Sequence, residues 1–265
     1  MTAVAHLPAS ELPRRRRRAW PWVLLVVGAL LVGAGVAVDL LARDLAEKAI
    51  AREVASALEV PDGAEVRVSV GGGPMIVQAL SGGLDRVEVA IPGYPLGPLT
   101  GDLEIVAQGA PFDLSAPTRS IVGRYAVSAE ALGVAAPQLS GARIDGVAIE
   151  GDEVVASGNV TVLGASFGLG LGLTPSAVDG DLAFEPTSIR IGDDALTADE
   201  LRANPFFGGL ADGLLQQRIV CVADSLPAAL TLSRLEVVDA GLVATFDASG
   251  AAIGGDGFRE RGSCA

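Results

Sequence analysis

Histidine and lysine are almost missing from this chain of 265 residues: His6 and Lys48 are the only ones. Beyond residue 38 there is no imidazole to act as base in a Ser-His-Asp or Cys-His arrangement, and none to ligate a metal. Lys48 lies in a stretch of helical pattern, so no Ser-Lys dyad is available to the strand-rich remainder. Aromatic residues are scarce at 4%. Basic charge is scarce too, and the net charge is −13. Residues 1–38 hold five arginines against Glu11, a net of +4, so the rest of the chain carries −17. An acidic domain is a poor match for nucleic acid and is not drawn electrostatically to an anionic surface.

One long apolar run is present. Trp20 to Val38 reads WPWVLLVVGALLVGAGVAV without a charge, and Arg14 to Arg18 stand directly before it. As a helix at about 1.5 Å per residue it reaches roughly 30 Å, the apolar thickness of a bilayer. The arginine block is expected to stay in the cytoplasm and everything after Asp39 to lie outside. This divides the chain into a basic cytoplasmic tail (1–18), a transmembrane anchor (19–38) and an extracytoplasmic domain (39–265). A cleaved signal peptide is the alternative, with Gly35-Val36-Ala37 as a small-x-small site. Both readings place the remainder outside the cytoplasm, in the plasma membrane's outer compartment.

In that compartment the two cysteines, Cys221 and Cys264, are expected to form a disulfide, against the alternative of two free thiols. The bridge would clip the C-terminal segment back onto the domain and contribute about 4 kcal/mol in the chain-entropy picture. No cysteine follows the apolar run as a lipoprotein would require.

From Asp39 to about Val60 there is no Gly or Pro, and Ala, Leu and Glu dominate. Leu41, Leu45, Ala49, Ile50, Val54, Ala57 and Leu58 recur at helical spacing, which predicts an amphipathic helix packed on a sheet. After Gly63 the period changes to two. Strands are predicted at Glu65–Val70, Leu84–Val89, Asp102–Ala107, Ile144–Ile149, Glu153–Leu163, Ser166–Leu173, Val178–Phe184 and Ser188–Ile191. Ser120–Leu132 reads either way. Phe206, Leu210 and Leu214 recur every four residues and predict a helix over Ala198–Ile219. Strands Leu230–Val238 and Leu242–Phe246 flank Asp239-Ala240-Gly241, a hairpin turn. The fold class is α+β, one long antiparallel sheet with a helix near each end.

Two stretches carry a family likeness. Val68-Ser69-Val70-Gly71-Gly72-Gly73-Pro74-Met75-Ile76-Val77-Gln78, with Gly83-Leu84-Asp85-Arg86-Val87-Glu88-Val89 after it, resembles the V-x-I-x-G-F-P-F-L-T-Q … G-x-x-D-x-V-x-V opening of the LmeA-type (lipomannan elongation factor A) phospholipid-binding proteins of actinobacteria. Leu226-Pro227-Ala228-Ala229-Leu230-Thr231-Leu232 and Leu235-Glu236-Val237-Val238-Asp239-Ala240-Gly241-Leu242 are similar to that family's C-terminal segment. The likeness spans about residues 20–250. It departs at Gly73 and Met75, where the family has two phenylalanines. It implies a tubular lipid-binding-like fold, a long curved antiparallel sheet wrapping an amphipathic helix. It also implies a non-enzymatic protein that binds phospholipid, of phosphatidylinositol type among others, and supports assembly of mannan-bearing lipoglycans.

Acyl chains would then be enclosed in a cavity lined by Pro74, Met75, Ile76, Phe112, Phe167, Leu169, Leu171, Phe184, Phe206, Phe207 and Leu210. Arg119, Arg124 or Arg143 would meet the phosphate at its mouth. No cofactor or metal is called for. Each site has a plainer reading: the phenylalanines as core, and Gly71-Gly72-Gly73 as a turn or bulge, since no Gly-Lys-Ser/Thr follows and Pro74 opens no helical pattern. Gly168-Leu169-Gly170-Leu171-Gly172-Leu173 is either a thin strand face against another backbone or a glycine trough for an acyl chain beside a leucine wall. Asp193-Asp194 and Asp199-Glu200 are a solvated loop, or a carboxylate pair for glycan hydrolysis or calcium. A non-catalytic scaffold that recruits an envelope glycosyltransferase is the main alternative to lipid binding.

Overall fold

The computed structural model describes residues 20–61, 63–140, 144–162, 165–191, 194–203, 215–239 and 241–264. It separates into two compact units, Met1–Ala42 and Arg43–Ala265. Helix α1, Trp20–Ala57, runs without a break for 38 residues, about 57 Å. Asp39 ends the apolar run but not the helix, so the two expected helices are one. The stretch from Leu24 is apolar enough to cross a membrane, with mean hydropathy 2.5 in its best window and none of that window buried.

In the second unit the elements follow as β1 (Arg67–Gly71), α2 (Met75–Ser81), β2 (Gly83–Leu96), β3 (Leu99–Pro111), β4 (Ser120–Ser128), α3 (Ala129–Ser140), β5 (Gly146–Glu150), β6 (Glu153–Val162), β7 (Ala165–Val178), β8 (Asp181–Ile191), β9 (Asp194–Thr197), α4 (Ala198–Ala203), β10 (Arg218–Val220), β11 (Thr231–Val238), β12 (Gly241–Ser249) and α5 (Asp256–Arg259). The strands make two antiparallel sheets instead of the single long one expected. Sheet 1 has the order β1-β2-β3-β4-β12-β11, and sheet 2 the order β10-β8-β7-β6-β5 with β9 also paired to β8. Neither is strongly curled.

Sheet 1 follows from clean alternation. Val87, Val89 and Ile91 on β2 pair with Ala107, Ile105 and Leu103 on β3, and these with Ile121, Gly123 and Tyr125 on β4. This face is closed: Ile91 is 1% exposed and Tyr125 and Val127 are each 4%. Burial pushes the Tyr125 phenol above its ordinary pKa, so it stays neutral and donates to the Tyr94 carbonyl (2.9 Å). The ambiguous Ser120–Leu132 resolves into a junction. Alternation carries β4 to Ser128, whose Oγ accepts the Ala131 N–H (3.2 Å) and opens α3.

The second half of α1 lies at the edge of sheet 1. Arg43 donates to the Val70 carbonyl and to that of Gly73 (3.2 Å), and the Glu47 carboxylate accepts the Val70 N–H (2.9 Å). At the other end the Leu58 carbonyl accepts the Tyr94 hydroxyl (3.1 Å). Fifteen helical residues from Arg43 to Leu58 cover about 22 Å. Val87, paired with Val70, lies seven strand residues before Tyr94, about 23 Å. The two lengths agree, so both ends of this segment are tied to sheet 1. Its half-buried stripe is Arg43, Ala46, Glu47, Ile50, Ala51, Val54 and Leu58. Leu41 and Leu45, expected on the packing face, are exposed.

Other expectations shift in sheet 2. The predicted strand Val178–Phe184 contains a hairpin turn, with Asp179 at φ +53° and Gly180 at φ +90°. β8 then runs through Pro186, beside the register slip at Gly172/Leu173, where a missing N–H costs no ladder bond. The predicted helix Ala198–Ile219 is α4 at its start and β10 at its end. Its middle, with Phe206, Phe207 and Leu210, lies outside the described residues.

Cys221 and Cys264 are bonded, with Cα atoms 5.9 Å apart and a sequence separation of 43. The bridge joins the tail that follows sheet 1 to the segment just after β10 of sheet 2. Backbone bonds reinforce it, Ala228 N–H to Glu260 O (2.9 Å) and Gly262 N–H to Leu226 O (3.0 Å).

Candidate functional site

The residues expected to line one cavity fall into two groups. The first surrounds α2. Gly72 takes φ +98°, which a side chain would strain, and the Gly73 N–H donates to the Asp85 carboxylate (3.0 Å). Pro74 caps a helix that its sequence context did not announce. Gln78 fixes that helix. Its amide donates to the carbonyls of Gly71 (3.2 Å) and Gly73 (2.7 Å), and its side-chain oxygen accepts the Asp85 N–H (2.9 Å). With Met75 and Gln78 buried, the opposite face presents Ile76, Val77 and Leu80, which are 69%, 55% and 85% exposed. The Phe112 N–H donates to the Gly82 carbonyl (3.0 Å), which places Phe112 beside the end of α2, and it too is exposed.

The second group lies on sheet 2. Along β7, Leu169, Leu171 and Leu173 alternate with Gly168, Gly170 and Gly172. The leucines share a face with Val154 and Ala156 of β6 and with Ile189 and Phe184 of β8. This face is half covered, and Leu169 is 36% exposed. Leu201 of α4 and Leu215 pack on Ile189. The glycine face is not an empty trough. A Cβ at Gly172 would overlap Ser188 and Glu153, and one at Gly170 would press on Arg190. Ser188 donates to Glu153 (2.9 Å), and Arg190 pairs with Glu150 (2.7 Å). Sheet 2 therefore has one apolar face and one mostly polar face, in which Val155 and Ala183 are buried. Phe167 stands on β7 opposite Val160.

Two of the open hollows among the described residues are both smaller than the roughly 300–1,000 Å³ of common small-molecule sites. One of about 240 Å³ is lined by Pro98, Thr100, Ser128, Glu130, Ala131 and Val134. The other, of about 230 Å³, lies on the outer face of β1, β2 and β3. Neither contains any of the eleven expected lining residues. Arg124 is exposed on β4 opposite Glu104. Arg119 is exposed beside Gly109, and Arg143 lies outside the described residues.

The acidic patch is engaged structurally. The Glu200 carboxylate accepts the Thr197 N–H and hydroxyl (both 2.9 Å), and the Thr197 Oγ accepts the Glu200 N–H (3.3 Å), a reciprocal cap on α4. These bonds hold Glu200 below the usual carboxylate range, the backbone bond first, whereas a glycosidase acid needs the opposite shift. Asp199 pairs with Arg202 (3.0 Å). Asp193 lies outside the described residues. Among the described residues no cluster of three His, Cys, Asp or Glu side chains is placed to hold a metal.

Sequence reasoning missed Leu80 and Val77, whose exposure depends on α2 being a helix. It also missed Ile189, and it placed Leu173 in the leucine wall without naming it among the lining residues. The glycine–leucine alternation already contained the signal for Leu173.

No curated protein and no solved structure matches the chain. A family model described as LmeA-like phospholipid-binding matches residues 37–247. That range begins as the apolar run ends and stops within β12, so it takes in both sheets and Cys221 but not Cys264. Matched over most of its length, the chain belongs to the LmeA-like phospholipid-binding family.

Proposed function

We propose that this protein is a non-enzymatic, membrane-anchored phospholipid-binding protein of the cell envelope, which holds acyl chains against the leucine face of sheet 2. The observation that carries this is the half-covered column Leu169, Leu171 and Leu173, with Phe184, on a sheet whose other face is mostly polar. Each methylene brought out of water there contributes about 0.8 kcal/mol, so part of one acyl chain suffices without charged contacts. Phe167, Phe206, Phe207 and Leu210 are proposed as further acyl-chain contacts. Pro74, Met75, Ile76 and Phe112 are proposed as a second lipid contact. Residues 1–18 would stay in the cytoplasm, 19–38 would span the plasma membrane, and 39–265 would lie outside, where the disulfide is stable. The family likeness extends the proposal to phosphatidylinositol-type lipid and to mannan-bearing lipoglycan assembly. The small size of both hollows favours a second reading, a non-catalytic scaffold that recruits an envelope glycosyltransferase.

The test is photo-crosslinking of the full chain in vesicles that contain phosphatidylinositol with a photoactivatable acyl chain. Adducts are expected on peptides of residues 165–191, and Leu171→Asp should remove them while adducts on the apolar run of α1 persist. Labelling confined to α1 would end the lipid-binding reading in favour of the scaffold.

A further inference from the structure

Among the described residues the apolar face of α2 has no partner. Ile76, Val77 and Leu80 lie within one arc of the helix, opposite buried Met75 and Gln78. Phe112 and Leu114, both exposed, adjoin its C-terminal end through the Phe112–Gly82 bond. Ile253 extends the patch, because the Gly254 N–H donates to the Leu114 carbonyl (2.8 Å). Three segments distant in sequence thus bring six large apolar side chains to one end of sheet 1.

The position of this end in the chain identifies what covers it. Arg43 donates to the Gly73 carbonyl, the residue before Pro74 and α2. Arg43 stands only five positions after Val38, the last of the apolar run. Five residues reach about 7.5 Å as helix and about 17 Å fully extended. Whatever angle an anchor takes, the α2 end is tethered to it through this short stretch, and the Leu96 tip of β2 lies about 40 Å from the α2 end along the strand. The charge at this end is of both signs. Asp85 is bonded to the Gly73 N–H, and Asp113 to the Ser115 N–H (3.0 Å) and hydroxyl (2.6 Å). Arg119 is exposed beside Gly109 and makes no ion pair among the described residues.

We propose that Ile76, Val77, Leu80, Phe112, Leu114 and Ile253 form a surface that rests in the interfacial layer of the lipid bilayer, with Arg119 facing lipid phosphates. The short helix enters the boundary between headgroups and acyl chains with its apolar side down, as interfacial amphipathic helices do. The domain then has a fixed orientation, with sheet 1 standing up from the membrane. The surface needs no lipid on sheet 2 and holds equally for a scaffold.

The full chain is reconstituted in phosphatidylcholine vesicles with Trp20→Phe and Trp22→Phe, and one tryptophan is returned at a time. Leu80→Trp and Phe112→Trp should show blue-shifted emission, quenched by lipids brominated near the headgroup. Leu96→Trp should stay red-shifted and unquenched. Phe184→Trp reads lipid held on sheet 2 independently. Leu80 is 85% exposed, so the substitution disturbs no packing, and an intact Cys221–Cys264 bridge verifies the fold of each variant. Red, unquenched emission from both Leu80→Trp and Phe112→Trp overturns the bilayer contact, whatever Phe184→Trp shows. Quenching at these two positions with none at Phe184→Trp keeps the contact and counts against the leucine face.

Discussion

In sheet 1 the inward column is sealed, with Val70, Val87, Val89, Ile91, Tyr125 and Val127 all below a tenth exposed. In sheet 2 the matching column of Leu169, Leu171 and Leu173 is only partly covered, and small residues stand behind it. Both sheets are antiparallel and use the same alternation. They differ in side-chain size on the second face. Sheet 1 carries charged residues there, such as Arg86, Glu88, Glu104 and Arg124, whereas sheet 2 carries glycines with Ser188, Arg190 and Glu153 folded over them. Burial of the first kind stabilises a fold. A face left half covered remains able to bury something else, which is what a lipid-binding protein requires.

The largest expected effect breaks the tie between the sheets. Cys264→Ser should lower stability by about 4 kcal/mol in the chain-entropy picture. Urea unfolding of the full chain in detergent should then lose its single transition, with sheet 2 unfolding first, because β10 is held by three residue pairs. Next comes a matched pair of truncations. Ile91→Ala should cost about 2–5 kcal/mol and leave lipid crosslinking per folded molecule unchanged. Leu169→Ala should cost under about 1 kcal/mol yet weaken crosslinking to β7. The reverse pattern would assign the binding face to sheet 1. Gln78→Ala removes the side-chain partner of the Gly71 carbonyl and of the Asp85 N–H, leaves the Gly73 carbonyl to Arg43, and should cost about 1–3 kcal/mol. Its signature in hydrogen exchange is faster exchange at Ile76–Ser81 with β7 and β8 unaffected.

Period-two strands, the β11–β12 hairpin and the disulfide were legible because each depends on local pattern or on compartment chemistry. α2 was not, since seven residues show no period and the helix is set by Gln78 reaching across to Gly71, Gly73 and Asp85. β8 was hidden by Pro186, which reads as a breaker until the register slip accommodates it. The division into two sheets was hidden because alternation predicts strands but not their partners: β11 and β12 return to β4, while β5 to β10 pair among themselves. The candidate residues were legible as apolar positions. Their separation into an α2 group and a β7–β8 group follows from that pairing, which no single stretch records.

The smallest expected effect is pH-dependent and confined to sheet 2. Thr197 holds the Glu200 carboxyl low in the folded chain, so between the folded and unfolded values the unfolded chain binds more protons, and stability rises with pH. The contribution of the cap is therefore complete above the unfolded value, and it is lost as pH falls through the lower folded value. α4 packs Leu201 on Ile189, so acid should loosen the leucine face at its α4 end and leave β2 unchanged. Amide exchange at Ala198–Leu201, followed downward from neutral pH, should accelerate in that window. Glu200→Gln should show the faster exchange already at neutral pH, and no further change on acidification. Equal acceleration in β2 would mean that the two sheets open together, and that the difference in cover between them has no counterpart in local stability.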